Sequence, residues 1–377
     1  MMSFPEKPVG SGQEAPAVTA LDLPVGVLWR EVLGLDTGEL TAALKRILEA
    51  HGEAPYRERQ IREWTFRRTP GGFGDMSDLP LRLRRVLEKE LVLHPIERVA
   101  ESLSRDGTRK FLWKKRDGGT LESVVIPDRD RTTYCISTQS GCPVRCTFCA
   151  TGHGGFQGQL TAGEIVDQVL LLSHLTASSP TNVVYMGMGE PLLNFPAVKK
   201  SLAILTSADQ VGLGPRRITV STVGIPERIR ELGRLFPQVK LALSLHAARD
   251  ELRDEIIPLN RKHPLQTVLD AVRDHTRETG KKATFEYILL PGVNDQARDV
   301  REVAARLRGI PSSINLLGFN PFPGAPYSKP AVRRLLEFRA ELERLYPGDV
   351  TIRRSRGEDI QGACGQLSLA HHNSHGA

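Results

Sequence analysis

Apolar runs and amphipathic stretches alternate along the second half of the chain. The apolar runs lie at residues 132–138, 182–186, 217–222, 240–246, 283–290 and 313–319. Stretches with helical spacing of their apolar residues separate these runs, as at 198–205, 264–277 and 298–308. This alternation is typical of parallel strands joined by helices. Six such units predict an α/β fold, an incomplete (βα)6 barrel, with one further strand at 350–353.

A different pattern precedes this region. Apolar residues first recur at helical spacing, and then alternate with polar residues around Asp-Gly turns at Asp106 and Asp117. The predicted domains are therefore a flexible N-terminal extension (1–20), a helical accessory domain (21–95), short antiparallel strands (96–130), the partial barrel (131–355) and a C-terminal tail (356–377).

The charge balance is basic and favours a polyanionic partner. Lys and Arg number 51 against 44 Asp and Glu, which gives a net charge of +7 and a pI of about 9.2. Two basic runs stand out: Arg57, Arg59, Arg62, Arg67 and Arg68, which interleave with aromatic residues, and Lys110, Lys114, Lys115 and Arg116 in one hairpin. The alternative is that both are solvated faces. No apolar run is long enough to span a membrane, and we expect a cytoplasmic monomer.

Three cysteines crowd into one short segment after the first barrel strand. Cys142, Cys146 and Cys149 have C-x3-C-x2-C spacing, which suits three irons of a [4Fe-4S] cluster and leaves the fourth iron without a protein ligand. S-adenosyl-L-methionine could chelate that open iron. The competing interpretation is a Cys3His zinc site with His153, but the flanking strand and helix pattern is unlike a small zinc module. Disulfides are disfavoured because the cysteines cluster and no signal peptide is evident.

Polar and glycine residues follow the predicted strands at the edge where barrel enzymes place their active sites. Gly187-Met-Gly189-Glu190-Pro follows the second strand, where glycines permit close backbone approach and Glu190 could accept from a ligand's ammonium group. Ser221, Ser244 and Asn320 also lie at strand ends. Alone, each is an ordinary turn or strand-end residue.

Cys135 and Cys364 remain. A free cysteine is commonly a buried apolar residue. Cys364, however, lies between small residues in a charged segment, which favours an accessible and reactive thiol.

Several segments together resemble the RlmN/Cfr radical methyltransferases, over about residues 55–368. They are Thr133-Tyr-Cys135-Ile-Ser-Thr-Gln-Ser-Gly-Cys142, Gly187-Met-Gly-Glu-Pro-Leu-Leu-Asn194, Ser244-Leu-His246, Phe319-Asn320-Pro-Phe-Pro-Gly-Ala-Pro-Tyr327 and Arg356-Gly-Glu-Asp-Ile-Gln-Gly-Ala-Cys364-Gly-Gln.

The resemblance implies a radical-SAM barrel that methylates adenosine C2 in the peptidyl-transferase centre of 23S rRNA and 3′ of the anticodon in tRNA. It implies that Cys364 carries the methyl group, that Cys135 resolves the protein–RNA adduct through a transient disulfide, and that Glu122 is the proton acceptor. The cofactor contacts that it implies are Gly189, Glu190, Ser221, Ser244, Leu245, His246 and Asn320.

The expected partners are both RNAs and a reducing electron donor, which we expect to be flavodoxin-like. We expect the helical N-terminal part and the basic hairpin to face the RNA. Three alternatives stay open: methylation at C8 of the rRNA adenosine, as in the Cfr branch; an RNA-binding module without catalysis; and a radical enzyme with an unrelated substrate, in which Cys364 has no role.

Overall fold

The computed structural model describes residues 30–367, and the predicted extension at 1–20 lies outside them. Three helices form the N-terminal part: α1 (Thr37–Ala50), α2 (Arg57–Glu63) and α3 (Leu81–Glu90). Helix α1 begins at a capping box in which Asp36 and Glu39 each bind the other's backbone N–H. Two short parallel strands, β1 (Arg30–Glu31) and β2 (Leu91–Val92), also lie here, and their two-residue length leaves no periodicity to predict them from.

The antiparallel strands predicted at 96–130 are present. They are β3 (Ile96–Leu103), β4 (Arg109–Lys115) and β5 (Thr120–Asp128), and β5 pairs in turn with the first barrel strand, β6 (Arg131–Cys135). A small hairpin, β7 (Gln139–Gly141) and β8 (Phe156–Gln159), encloses the cysteine segment and the short helix α4 (Ala150–His153).

The barrel region follows the predicted order of strands and helices. Its elements are α5 (Ala162–Thr176), β9 (Asn182–Tyr185), α6 (Phe195–Thr206), β10 (Ile218–Thr222), α7 (Pro226–Leu235), β11 (Lys240–Ser244), α8 (Asp250–Ile256), α9 (Leu265–Thr279), β12 (Ala283–Leu289), α10 (Ala297–Arg306), β13 (Ser312–Gly318), α11 (Val332–Leu345) and β14 (Val350–Arg353). Among the described residues, no helix is both long and apolar enough to cross a membrane.

One ten-stranded sheet joins the two strand systems, in the order β14-β13-β12-β11-β10-β9-β6-β5-β4-β3. Neighbours are parallel from β6 through β9 to β14 and antiparallel from β6 to β3. Each parallel strand therefore neighbours the next one in sequence, which is the arrangement of an incomplete barrel. The predicted α/β fold is confirmed, whereas the domain boundaries stay a prediction.

Candidate active site

The loop that carries the three cysteines, residues 142–149 (the cysteine loop), is fixed at its start by Gly141. The φ of Gly141 is 75°, and a Cβ atom there would lie 1.9 Å from the carbonyl oxygen of Gly155. The N–H of Cys142 donates to that same carbonyl at 2.8 Å. Only glycine permits this approach, so the chain enters the cysteine loop in a single direction.

Apolar packing holds the cysteine loop. Val144, Cys146 and Phe148 belong to a buried cluster that also contains Ala150 of α4 and residues on or after the later barrel strands, namely Ala247, Leu252, Ile256, Ile257, Ile288, Leu290, Phe319 and Phe322. The Phe148 ring lies edge-on to His246, with centroids 4.7 Å apart. Because the cluster draws on several strands, the position of the cysteines depends on the whole barrel.

The surroundings of the three thiols suit a thiolate-bound cluster. Burial raises the pKa of Cys142 to about 12 and raises those of Cys146 and Cys149 as well. Three such thiolates are stable here only beside a strong positive charge, which cluster iron supplies, and iron–sulfur clusters prefer soft cysteine ligands. In residues 30–367 no three His, Cys, Asp or Glu side chains are placed to hold a single metal ion. The His153 ring instead contacts Phe322, with Nε2 2.9 Å from the Thr147 carbonyl oxygen.

A cavity of about 160 Å³, the small cavity, brings the cysteines together with most of the predicted cofactor contacts. The predicted residues that line it are Cys142, Cys146, Cys149, Gly189, Glu190, Ser221, Ser244 and His246. Leu245 is fully buried and does not line it; its backbone N–H instead donates to the Glu286 carbonyl. Asn320 does not line it either.

Backbone amides fix the carboxylate of Glu190. Its Oε1 accepts from Leu192 N at 2.9 Å, and its Oε2 accepts from Val223 N at 2.8 Å. Burial raises the pKa of Glu190 to about 6, although these hydrogen bonds act in the opposite direction. Burial disfavours the ionised carboxylate of Glu190, and a ligand ammonium beside it would favour that ionised form again. Binding such an ammonium group is the role predicted for Glu190.

His246 is held in a single orientation. It has a left-handed φ of 55°, and Asn294 Nδ2 donates to its carbonyl at 2.8 Å. Its Nδ1 accepts from Ile288 N at 3.0 Å, and burial lowers the pKa of the ring to about 3. The imidazole is therefore neutral and carries its proton on Nε2, so it can act only as a donor through that atom.

Arg253 connects the loops that follow two of the strands. Its guanidinium donates to three carbonyl oxygens, those of Val223, Ser244 and Leu245, and to Asn260 Oδ1. It is 1% exposed, and its charge lies near Cys146. Sequence reasoning missed Arg253, because its segment Arg249-Asp-Glu-Leu-Arg-Asp254 has the composition of a solvated helix face.

A polar row crosses the last strands at one level of the barrel. Ser244, Glu286, Asn315 and Thr351 are successive register partners on β11 to β14. Glu286 lines the small cavity; Asn315 binds its Oε1 at 3.0 Å, and its buried Oε2 has no hydrogen-bond partner in the described structure. Glu286 was also missed, although a charged residue inside the apolar run 283–290 is a signal that could have found it.

A second cavity of about 870 Å³, the large cavity, adjoins the small one. Cys135 and Asn320 line it, and Cys149, Arg353 and Cys364 line both cavities. Burial and the nearby Cys364 raise the pKa of Cys135 to about 12. The two cysteines outside the triplet, which lie 229 positions apart in sequence, therefore face the same space.

Polar contacts hold the segment that carries Cys364, residues 356–367 (the tail loop). Asp106 Oδ2 accepts from Gly357 N at 3.0 Å, and Asp359 accepts from Ser104 Oγ at 2.6 Å and from Arg105 N at 3.2 Å. Asn320 donates to the Cys364 carbonyl at 3.3 Å. The turn between β3 and β4 thus anchors the start of the tail loop, and Asn320 binds the backbone of the cysteine itself.

Glu122 lies apart from both cavities. It is 1% exposed, and its Oε1 lies 3.1 Å from Lys110 Nζ, which is itself buried. Lys110 Nζ also donates to the Gln361 carbonyl of the tail loop at 3.4 Å. The structure therefore does not bring Glu122 together with the other predicted residues, but one lysine links it to the tail loop.

The expectation that the basic hairpin faces RNA is wrong for two of its lysines. Lys110 and Lys115 are buried on opposite faces of β4, and Lys115 pairs with Asp117 at 2.7 Å. The arginine run is also largely engaged: Arg62 pairs with Glu58 at 2.7 Å, and Arg67 donates to the carbonyls of residues 208 and 211.

Comparisons with known proteins agree with this arrangement. The Radical SAM superfamily matches residues 136–304. A dual-specificity RNA methyltransferase RlmN from Halorhodospira halophila is 45% identical over 340 residues, which cover 89% of this chain and 93% of that protein. A probable dual-specificity RNA methyltransferase RlmN from Thermotoga maritima is 43% identical over 90% of this chain and 98% of its own length.

A solved structure gives the same result. The crystal structure of a radical SAM methyltransferase from Sphaerobacter thermophilus superposes with a TM-score of 0.85 at 42% identity, and covers 90% of this chain and 99% of that one. Identity at this level over nearly the whole length of both sequence relatives establishes common descent. The chain belongs to the RlmN family of radical SAM methyltransferases.

Proposed function

We propose that this enzyme methylates the C2 carbon of adenosine in 23S rRNA and in tRNA, using two S-adenosylmethionine molecules and an S-methyl group carried on Cys364. The observation that supports this most directly is the position of Cys364. It lines both the small cavity, with the three clustered cysteines, and the large cavity, with Cys135. A carrier must reach both the place where it is activated and the place where it reacts.

The carrier is required by the chemistry of the base. Adenine C2 lies between two ring nitrogens and is electron-poor, so it does not attack a methyl sulfonium. When bound, the cluster and S-adenosylmethionine supply a methyl group and a radical that removes a hydrogen atom. Cys364 Sγ acts as the nucleophile that takes the methyl, and it then presents the carbon to the base.

Cys135 completes the transfer. Its sulfur attacks Cys364 Sγ, an S–S bond forms, and the bond between Cys364 Sγ and the transferred carbon breaks. The bonding pair stays with that carbon, which takes up the proton that the Cys135 thiol releases and so becomes the methyl group of the product. An external thiol reductant then returns both cysteines to the free state.

Glu122 is proposed as the acceptor of the C2 proton. In the described arrangement its carboxylate is paired with Lys110, outside both cavities. Because Lys110 also holds the Gln361 carbonyl, movement of the tail loop would alter this pairing as the base enters. We further propose a flavodoxin-like electron donor and a monomeric enzyme.

The test uses the reconstituted enzyme with Cys364→Ala and Cys135→Ala variants. We expect C364A to retain iron and to cleave S-adenosylmethionine to 5′-deoxyadenosine, but to transfer no methyl group. We expect C135A to accumulate a protein–RNA adduct. Mass spectrometry of tRNA and rRNA nucleosides measures the product. Normal methylation by C364A would refute the carrier role, and methyl label at C8 would refute the C2 assignment.

A further inference from the structure

Most of the basic side chains that the sequence suggests for RNA binding are paired with other groups of the protein. Lys110 and Lys115 are buried in ion pairs, and Arg62 and Arg67 bind neighbouring protein groups. A charge that already has a protein partner at close range gains little from a phosphate. The surface that holds the substrate therefore has to be sought elsewhere.

The mouth of the large cavity is rich in arginine. Its charged lining residues are five arginines and two aspartates. Four of the arginines, Arg129, Arg131, Arg354 and Arg356, are at least partly exposed, and we name them the arginine rim. They come from two separate segments, residues 129–131 at the start of β6 and residues 354–356 after β14, which line the large cavity together with Cys135 and Cys364.

Two residues of the rim have no partner of their own. Arg129 and Arg354 are exposed, and within residues 30–367 neither makes an ion pair or a hydrogen bond. Arg131 and Arg356 share one carboxylate, that of Asp128, at 3.6 and 3.2 Å. Asp128 thus joins the two walls of the rim, while the guanidinium groups of Arg129 and Arg354 are left available.

An exposed guanidinium is a good partner for a phosphate, because its planar donors match two phosphate oxygens. A base that reacts within a cavity must leave its stack, which bends the backbone at its 5′ and 3′ sides. Those phosphates then lie at the cavity mouth. The volume of about 870 Å³ falls in the range of cavities that enclose a nucleotide-sized ligand.

We infer that Arg129 and Arg354 bind the RNA phosphates that flank the reacting adenosine, one from each wall of the large cavity, with Arg131 and Arg356 beside them. The inference rests on the proposed function and names the surface through which the substrate is held. It replaces the basic hairpin as the main RNA contact.

The test is a double variant, Arg129→Gln with Arg354→Gln, compared with a matched control, Arg277→Gln with Arg333→Gln. The control arginines are 79% and 89% exposed and lie on the outer helices α9 and α11. Binding of an unmodified tRNA transcript is measured by fluorescence anisotropy from 50 to 300 mM salt. Thermal unfolding of each variant is recorded alongside.

We expect the rim variant to bind about tenfold more weakly at low salt. The slope of log affinity against log salt should become shallower by about 1.5, since two phosphate contacts are removed. The control should bind as the unaltered enzyme does. Arg→Lys replacement at both rim positions should restore most of the slope, because the charge is kept.

The outcomes distinguish a wrong assignment of the arginine rim from a wrong proposed function. If the unaltered enzyme methylates tRNA but the rim variant keeps the full salt slope, the rim assignment is wrong and the proposed function stands. If the unaltered enzyme methylates neither RNA, the proposed function is wrong whatever the rim variant binds. An equal loss of slope in the control would mean that the effect is one of net charge, which also refutes a local site.

Discussion

The two cysteine-bearing loops at the centre of this enzyme are held by different forces. The cysteine loop (142–149) is enclosed by apolar side chains such as Ile256 and Phe319. The start of the tail loop (356–367) is held by carboxylates that accept backbone and hydroxyl hydrogen bonds, those of Asp106 and Asp359. Apolar packing is insensitive to salt and acid, whereas exposed charged contacts are weakened by both.

This difference matches the tasks proposed for the two loops. Residues that hold a cluster have to keep one geometry, which dense packing provides. A loop that carries a group between two adjoining cavities needs contacts that can be broken at low cost. Contacts of that kind anchor the start of the tail loop, at Gly357 and Asp359.

The largest expected effect comes from opening the apolar cluster. Phe319 is fully buried and contacts Phe322 and Tyr327. Phe319→Ala should lower the free energy of unfolding by about 3–5 kcal/mol, because the side chain leaves a cavity. Urea denaturation measures this. Val332→Ala, at a position 72% exposed, should change it by less than about 0.5 kcal/mol; equal effects would contradict the proposed packing role.

A second prediction removes one anchor of the tail loop. Asp106→Ala should lower the free energy of unfolding by only about 1 kcal/mol but speed hydrogen exchange across 357–364, since the Gly357 N–H loses its acceptor. Asp117→Ala is the matched control, because Asp117 lies in a similar Asp-Gly turn and binds Lys115 and Gly119 instead. If both variants exchange alike in the tail loop, the anchor is elsewhere.

Lowering the pH should also loosen the tail loop more than the cysteine loop. Slight burial acts to raise the pKa of Asp106, but hydrogen bonds from Thr108 and Gly357 lower it to about 2. A carboxylate whose folded pKa is depressed stabilises above its unfolded pKa, near 4, and that contribution is lost as pH falls toward 2. Pepsin cleavage in the tail loop should therefore increase between pH 4 and pH 2, and D106A should show cleavage already at pH 4. The same profile in both proteins would rule out Asp106 as the cause.

The smallest expected effect concerns the outermost ion pair of the tail loop, between Lys329 and Glu358. Both side chains are about half exposed, so the pair contributes little. Lys329→Met should raise the tail-loop exchange rate by about twofold or less, and 1 M NaCl should remove the difference from the unaltered enzyme. Lys282→Met, which affects a similarly exposed pair with Asp349, is the control.

The barrel could be predicted from sequence because its signal is local. Each strand is a short apolar run and each helix repeats within a few residues, so β12 and α9 lie within a few residues of the predicted bounds. The three clustered cysteines are also a local signal. Their common cavity with Glu190 follows from the strand order, which places successive strand ends side by side.

The site features that could not be predicted from the sequence depend on pairing between distant segments. Lys110 looks like part of a solvated run, and only the β4–β5 register places it beside Glu122. Arg253 is buried because carbonyls from two other loops surround it. Asn320 follows the expected strand, but its side chain donates to the carbonyl of Cys364 in the tail loop, 44 residues further on. No periodicity within a segment encodes such partners.

The anchoring of the tail loop on the β3–β4 turn has a consequence for biosynthesis. Ser104 and Asp359 are separated by 255 positions, and Asp106 and Gly357 by 251. The barrel strands precede the tail loop in synthesis, so Cys364 reaches its place only after the β3–β4 turn and all of the barrel strands have been made. In terms of the proposed function, the nascent chain forms most of the small cavity first, and the proposed carrier Cys364 completes its lining in a last, separate docking step.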